Sequence, residues 1–175
     1  MIKMNSDVRR LLQKSWLWLI IVVASASAWL LAFYWASQTP SKLSFEIWVG
    51  SAEKIVDDGL RTQLNSICID GGMKEFSVNT YDPDDYFYPQ AFALKSRSVE
   101  IFILSKDEAT SIAETKMFAT LNGDYGDKNT LEYDGNVIGV EFKDGYFALI
   151  NGASRKSSEL LRAVFNAIVN YEVIQ

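Results

Sequence analysis

Residues Trp16 to Ala36 form a run of 21 positions without one charged side chain. As a helix rising 1.5 Å per residue, a run of that length covers roughly the 30 Å of a bilayer's hydrocarbon core. Trp16 and Trp18 stand near one end and Tyr34 and Trp35 near the other, the positions that interfacial aromatic rings favour. Lys3, Arg9, Arg10 and Lys14 crowd the N-terminal flank. The run therefore reads as a single-pass transmembrane helix over 16–36, behind a basic cytoplasmic segment over 1–15, with the C-terminal part outside the cell. A cleavable signal peptide is the rival, since Ala24-Ser25-Ala26 and Ala26-Ser27-Ala28 offer small-residue cleavage sites. The apolar run continues from Trp29 to Trp35, so cleavage there would leave a greasy new terminus. An uncleaved signal-anchor in the cell membrane is the expectation, with the lipid bilayer as a partner.

The remainder of the chain is chemically different. From Ser37 to Gln175 there are thirteen Lys/Arg against twenty-one Asp/Glu, a formal net of −8. Nucleic acid is excluded as a partner, because phosphate binding needs a clustered basic surface. Cys68 is the only cysteine, so no disulfide can form within the chain, and the absence of histidine removes histidine-based triads and most zinc sites. Stability has to come from a hydrophobic core, which a segment of this length can supply.

The pattern after a polar linker over 37–43 alternates strand and helix within a domain over 44–175. Leu43 to Val49 is a β-rich run closed by Gly50-Ser51. Ala52 to about Ile67 fits a helix capped by Ser51. Glu75 to Tyr81 alternates as a strand. Asp82-Pro83-Asp84-Asp85 has the composition of a helix start, with Pro89 expected to kink or delay that helix. Val99 to Leu104 suits a central strand, and Ser105-Lys106-Asp107-Glu108 has capping-box spacing. Three short strands come next, around two turns. Leu160, Leu161, Val164, Phe165, Ile168 and Val169 then form the single apolar stripe of a last helix. The expected architecture is α/β, with a mixed, mainly parallel sheet flanked by helices.

Three stretches resemble one lobe of the extracellular solute-binding proteins that feed ABC importers. Phe45-Glu46-Ile47-Trp48-Val49-Gly50 resembles their first strand. Tyr81 to Tyr86, through Val99-Glu100-Ile101-Phe102-Ile103-Leu104, resembles their second helix and following strand. Tyr133-Asp134-Gly135-Asn136-Val137-Ile138-Gly139-Val140, with Tyr146 to Asn151 and the Ser157–Tyr171 helix, resembles the return of the chain into that lobe. The resemblance implies a periplasmic-binding-protein-like lobe whose second lobe is missing, because only a tight turn separates Phe142 from Tyr146. Such a protein would bind solute weakly or not at all alone. It would serve as an accessory of a membrane transport complex, beside another membrane protein or a second copy of itself. The alternative is a surface-exposed structural or signalling protein whose lobe presents a protein-binding face.

In an open α/β sheet, ligands sit beyond the carboxyl ends of the strands. Trp48, Gly50, Ser51, Asp82, Tyr86 and Ser105 are the candidate ligand-binding residues at those ends: hydroxyls and helix-start amides from the serines, stacking surface from the aromatics. The plainer alternative is preferred: Ser51, Asp82 and Ser105 cap helices without any ligand, while the aromatics Trp48 and Tyr86 fill the core. Asp124, Asp127, Asn129 and Glu132 could offer oxygen to calcium, but their spacing does not match the EF-hand loop. No metal, cofactor or catalytic residue is assigned, and no enzyme is expected, since no nucleophile elbow or phosphate loop is present.

Overall fold

The computed structural model describes residues 6–37 and 42–171. Residues 1–5 of the basic segment, 38–41 of the expected linker and 172–175 lie outside the described residues. The chain divides into two compact units, Met1–Thr39 and Pro40–Gln175.

The first unit is the helix α1, Ser6–Ser37. Among the described residues no helix is long and apolar enough to cross a membrane. That finding corrects the transmembrane span over 16–36, the single-pass signal-anchor reading, and the assignment of the two ends to opposite sides of a cell membrane. Length is not the limit, since α1 runs to 32 residues. Its apolar run is interrupted by Ser25 and Ser27, whose hydroxyl groups oppose transfer into hydrocarbon.

The second unit is built on a six-stranded mixed sheet. In chain order its elements are β1 (Ser44–Gly50), α2 (Asp58–Asp70), β2 (Glu75–Tyr81), α3 (Tyr88–Lys95), β3 (Ile101–Ser105), α4 (Lys106–Ala113), β4 (Thr130–Tyr133), β5 (Asn136–Lys143), β6 (Tyr146–Ile150) and α5 (Ser158–Val169). The strand order is β2-β1-β3-β6-β5-β4. β1 pairs in parallel with both β2 and β3. β6 runs antiparallel to β3, and β5 and β4 add antiparallel hairpin strands. The sheet is therefore α/β and mixed, but not mainly parallel as expected, because the return strand β6 enters beside β3 in the opposite sense.

Alternation along each strand sorts the core into two layers. Phe45, Ile47, Val49, Ile101, Ile103, Val140 and Ala148 pack with α2 and α5. Trp48, Phe102, Leu104, Phe147 and Leu149 pack with α3 and α4 on the other layer. The stripe on α5 is buried as its spacing requires. At about 1.5–3 kcal/mol for each large apolar side chain removed from water, its six buried residues make this helix a principal brace of the sheet.

One helix starts later than expected, and another is delayed as anticipated. α2 begins after Asp57, whose side chain accepts from the Leu60 N–H at 2.7 Å, so Asp57 and not Ser51 is its cap. Ser51 is instead drawn back to the sheet: its N–H donates to the Tyr81 carbonyl, and its Oγ accepts from the Glu53 N–H and the Tyr146 hydroxyl. The helix with start composition at Asp82–Asp85 is delayed, as expected from Pro89, and begins at Tyr88 with that proline in its first turn. Asp82 and Asp85 each accept from a backbone N–H two residues on, those of Asp84 and Phe87, so 82–87 closes as two consecutive turns. This side-chain competition with helix formation is what short aspartates favour. The expected capping box at Ser105 is present.

Candidate functional site

The carboxyl ends of β1, β2 and β3 bring Gly50, Tyr81 and Ser105 to one edge of the sheet. Trp48 lies fully buried just below that edge. Its ring stacks on Tyr81 with centroids 3.7 Å apart and an interplanar angle of 11°, and meets Tyr88 and Phe92 edge-on at 5.7 and 5.6 Å. Aromatic pairs of this kind hold one another beyond the effect of burial alone. No solute could stack on Trp48 without displacing that cluster.

Gly50 is covered as well. A Cβ there would stand 2.7 Å from the Tyr88 hydroxyl and 2.9 Å from Leu104 Cδ2, so the close approach of Tyr88 needs glycine at this point. The Tyr88 hydroxyl donates to Glu108 Oε1 at 2.7 Å. Glu108 Oε2 in turn accepts from the Ser105 hydroxyl at 2.9 Å and the Ser105 N–H at 3.3 Å. Burial first, then the bond to the Glu108 carboxylate, push the Tyr88 phenol well above its ordinary pKa and keep it a donor. The Trp48 indole N–H has no hydrogen-bond partner of acceptable geometry. It lies close enough to the Tyr88 oxygen to favour the phenolate slightly, a small effect against the larger opposing ones.

The six candidates thus divide. Trp48, Gly50 and Ser105 come together at the strand ends, beneath or within a plug formed by Tyr81, Tyr88 and Glu108, while Ser51 follows Gly50 but turns its hydroxyl to Tyr146 and the Glu53 N–H. Asp82 and Tyr86 do not join them. Asp82 is an exposed turn residue, and Tyr86 is 80% exposed, touching Phe87 edge-on at 5.4 Å. The plug residues escaped the sequence reading, although one signal was present: Glu108 is the fourth residue of a capping box, and an acid there can also face the preceding strand end.

A second cluster lies toward the opposite end of the strands. Glu46 and Glu100 are both buried. Glu100 Oε2 accepts from the Glu46 N–H at 2.7 Å, while Lys156 Nζ stands 3.7 Å from Glu100 Oε1 with its side chain 5% exposed. Glu46 accepts from Asn79 and pairs with Lys95 at 3.2 Å. Burial pushes the Glu100 carboxyl up to about 7, and the Glu46 carboxylate adds to the rise; the Glu46 N–H and Lys156 oppose it. Asn151, also buried, donates to the Ser96 and Val99 carbonyls and ties the end of β6 to the approach to β3. The sequence signal for this cluster was an acid inside each of two apolar strand runs.

Open hollows lie elsewhere. A groove of about 550 Å3 runs between α5 and the segment Ala119–Lys128, with Leu121, Leu161 and Phe165 on its floor and Arg162 and Asn166 beside them. Lys128 donates to the Val169 carbonyl at 2.6 Å and so closes the carboxyl end of α5. Cys68 is buried and its thiol is pushed up to about 12 by burial first and then by the Glu100 charge, so it is no reactive nucleophile. Among the described residues no group of three or more His, Cys, Asp or Glu could hold a metal ion. Asp124 accepts from the Gly126 N–H in a turn, and Asn129 is bonded to Glu141.

No protein-family model matches the chain, and no curated protein matches it. A protein solved with acarbose is similar over 56% of this chain and 29% of its own length, at 16% identity and a TM-score of 0.38. The chain thus spans under a third of that structure, and a likeness at this level carries no argument about fold or function.

Proposed function

We propose that the α/β unit is a non-catalytic interaction module that recognises another protein surface and binds no small solute at its strand ends. The observation that carries this reading is the plug: Trp48 is fully buried against Tyr81, Tyr88 and Phe92, and Gly50 is roofed by the Tyr88–Glu108 bond. Tight binding of a small ligand needs a concave pocket that removes most of its surface from water, and the strand ends offer filled aromatic packing in its place. The resemblance to one lobe of a solute-binding protein belongs to the same reading, since a lone lobe supplies only one wall of a cleft. Ser51 and Ser105 are both engaged within the fold, which supports a non-catalytic role for them. Calorimetric titration of the full chain with sugars and amino acids tests the reading. No saturable heat is expected. Micromolar binding of any of these solutes, lost when Trp48 is replaced by Ala, would overturn it.

A further inference from the structure

The sheet has two edge strands, β2 and β4, and they are built differently. β4 is blunted: it has four residues, and its register against β5 shifts between Leu131 and Glu132. Shortness and a bulge are devices that stop an edge from pairing further. β2 carries neither. It has seven residues, pairs with β1 without a shift from Glu75 to Tyr81, and contains no proline and no lysine. Among the described residues no strand lies beyond it.

The direction of its backbone groups follows from the ladder. The Glu75 N–H donates to the Leu43 carbonyl and the Tyr81 carbonyl accepts from the Ser51 N–H, so both ends of β2 turn toward the β1 side. Along a strand these groups alternate in direction from one residue to the next. Glu75, Ser77, Asn79 and Tyr81 therefore bond inward, while Phe76, Val78 and Thr80 turn their N–H and C=O groups outward. Arg61 marks that outer row: its Nη2 donates to the Val78 carbonyl at 3.5 Å from an exposed side chain. A bond of that length is at the limit and gives way easily. Donors and acceptors repeating every second residue are matched by one kind of partner, another extended backbone.

The outer row also matches itself. In an antiparallel pair, directly opposed residues whose groups face each other exchange both bonds. With Val78 opposite Val78 on a two-fold axis, Phe76 meets Thr80, and every outward residue exchanges both bonds. Sliding the centre to Ser77 or Asn79 leaves one outward residue without its match. The same register brings the two Val78 side chains together on the face where Phe76 and Val78 already pack against the α2 and α5 layer. Charge selects the antiparallel sense. In the segment 74–85, Lys74 is the only basic residue, with Glu75 beside it, and exposed Asp82, Asp84 and Asp85 gather at the far end. Antiparallel pairing lays each Lys74 beside the acid-rich end of the other copy, whereas a parallel sense would lay the acid-rich ends together.

We infer that the outer edge of β2 is a homotypic docking surface: two copies of this chain join antiparallel along β2 about Val78, continuing the sheet from one into the other. The inference rests on the interaction reading above and names the partner. A two-fold contact demands that one patch serve both partners; a foreign strand would need only a free edge. Each Arg61 has to release Val78, and the axis brings both guanidinium groups onto one face, so the dimer is weak and forms with concentration.

The test is disulfide capture in the full chain. Val78→Cys places one thiol of each copy at the axis, where opposed Cα atoms lie about 5.5 Å apart, a span that a disulfide bridges. Native Cys68 is buried. Glu132→Cys, on the exposed and bulged edge of β4, measures the background, including association through the exposed apolar side chains of α1. Under mild oxidation Val78→Cys should form the covalent dimer about tenfold faster than Glu132→Cys, because paired edges raise the local thiol concentration. Adding Thr80→Pro removes an outward N–H and spares the β1 ladder; the rate should fall to that of the control while the far-UV circular dichroism is kept. Adding Lys74→Asp instead should slow capture several-fold, and Asp82→Lys together with it should restore the rate. Capture no faster than the control, capture that survives Thr80→Pro, or no rescue in the combined charge variant overturns the inference. A chain that fails this test and still binds no sugar or amino acid keeps the interaction reading and loses the second copy as its partner; solute binding at Trp48 removes the reading itself.

Discussion

Glu100 offers the sharpest energetic test. Its carboxyl is raised from an ordinary 4.5 to about 7, chiefly by burial. The folded chain therefore holds this proton more tightly than the unfolded chain does. The resulting stabilisation is fully present below pH 4.5 and is lost as pH rises through about 7. A shift from 4.5 to about 7, at about 1.36 kcal/mol per unit, amounts to about 3 kcal/mol across that window. Replacing Glu100 alone would leave Lys156 buried without this acid, which is costly in itself. The proper reference is Glu100→Gln combined with Lys156→Met, which removes both charges. Urea unfolding, followed by the fluorescence of buried Trp48 in chains whose other tryptophans are replaced by Phe, gives the stability of both proteins at pH 5 and pH 8. Relative to the double variant, the native chain should lose about 2.5 kcal/mol between those values, because the unfolded carboxyl is already partly ionised at pH 5, or roughly 1–2.5 M in urea midpoint at ordinary slopes. A difference that stays constant, or one that grows in favour of the native chain as pH rises, would refute the assignment of Glu100 as a proton held by burial.

Three further substitutions probe the framework. Gly50→Ala drives a methyl into the Tyr88 hydroxyl and Leu104; a loss of about 1–3 kcal/mol is expected from urea unfolding, as for an overpacked core. Asp57→Ala removes the cap of α2 and the acceptor of the Tyr171 hydroxyl, and should cost about 1 kcal/mol, with faster hydrogen exchange confined to the first turn of α2. Phe165→Ala empties a buried site on α5 beside Tyr125; about 3–5 kcal/mol should be lost in urea unfolding.

Much of the α/β unit was legible because its signals are local. The strand over Glu75–Tyr81 and the stripe of α5 follow from alternation and helical spacing alone. The capping box at Ser105 is a four-residue pattern with one physical solution. The start of α2 was not legible, because Ile55 and Val56 continue the apolar spacing upstream of Asp57. Val56 fills the core from a loop that Ser51 anchors through Tyr81 and Tyr146. Asp82 and Asp85 carry a helix-start composition, yet two turns win before Pro89, and α3 begins only at Tyr88. The antiparallel entry of β6 beside β3 leaves no local mark, since strand patterning specifies a buried face and not a neighbour. At the candidate site the sequence placed Trp48, Gly50, Ser51 and Ser105 correctly at the strand ends. It could not reveal that Tyr88, twenty residues from Glu108, would close over Gly50 and against Trp48.

The central claim, that the strand ends are filled and closed to small solutes, can be read from Trp48 alone. In a full chain with Trp16, Trp18, Trp29 and Trp35 replaced by Phe, the remaining emission comes from the plug itself. The account predicts blue-shifted emission that resists acrylamide quenching and stays unchanged as sugars and amino acids are added. Red-shifted, readily quenched emission that changes saturably with one of those solutes would contradict it.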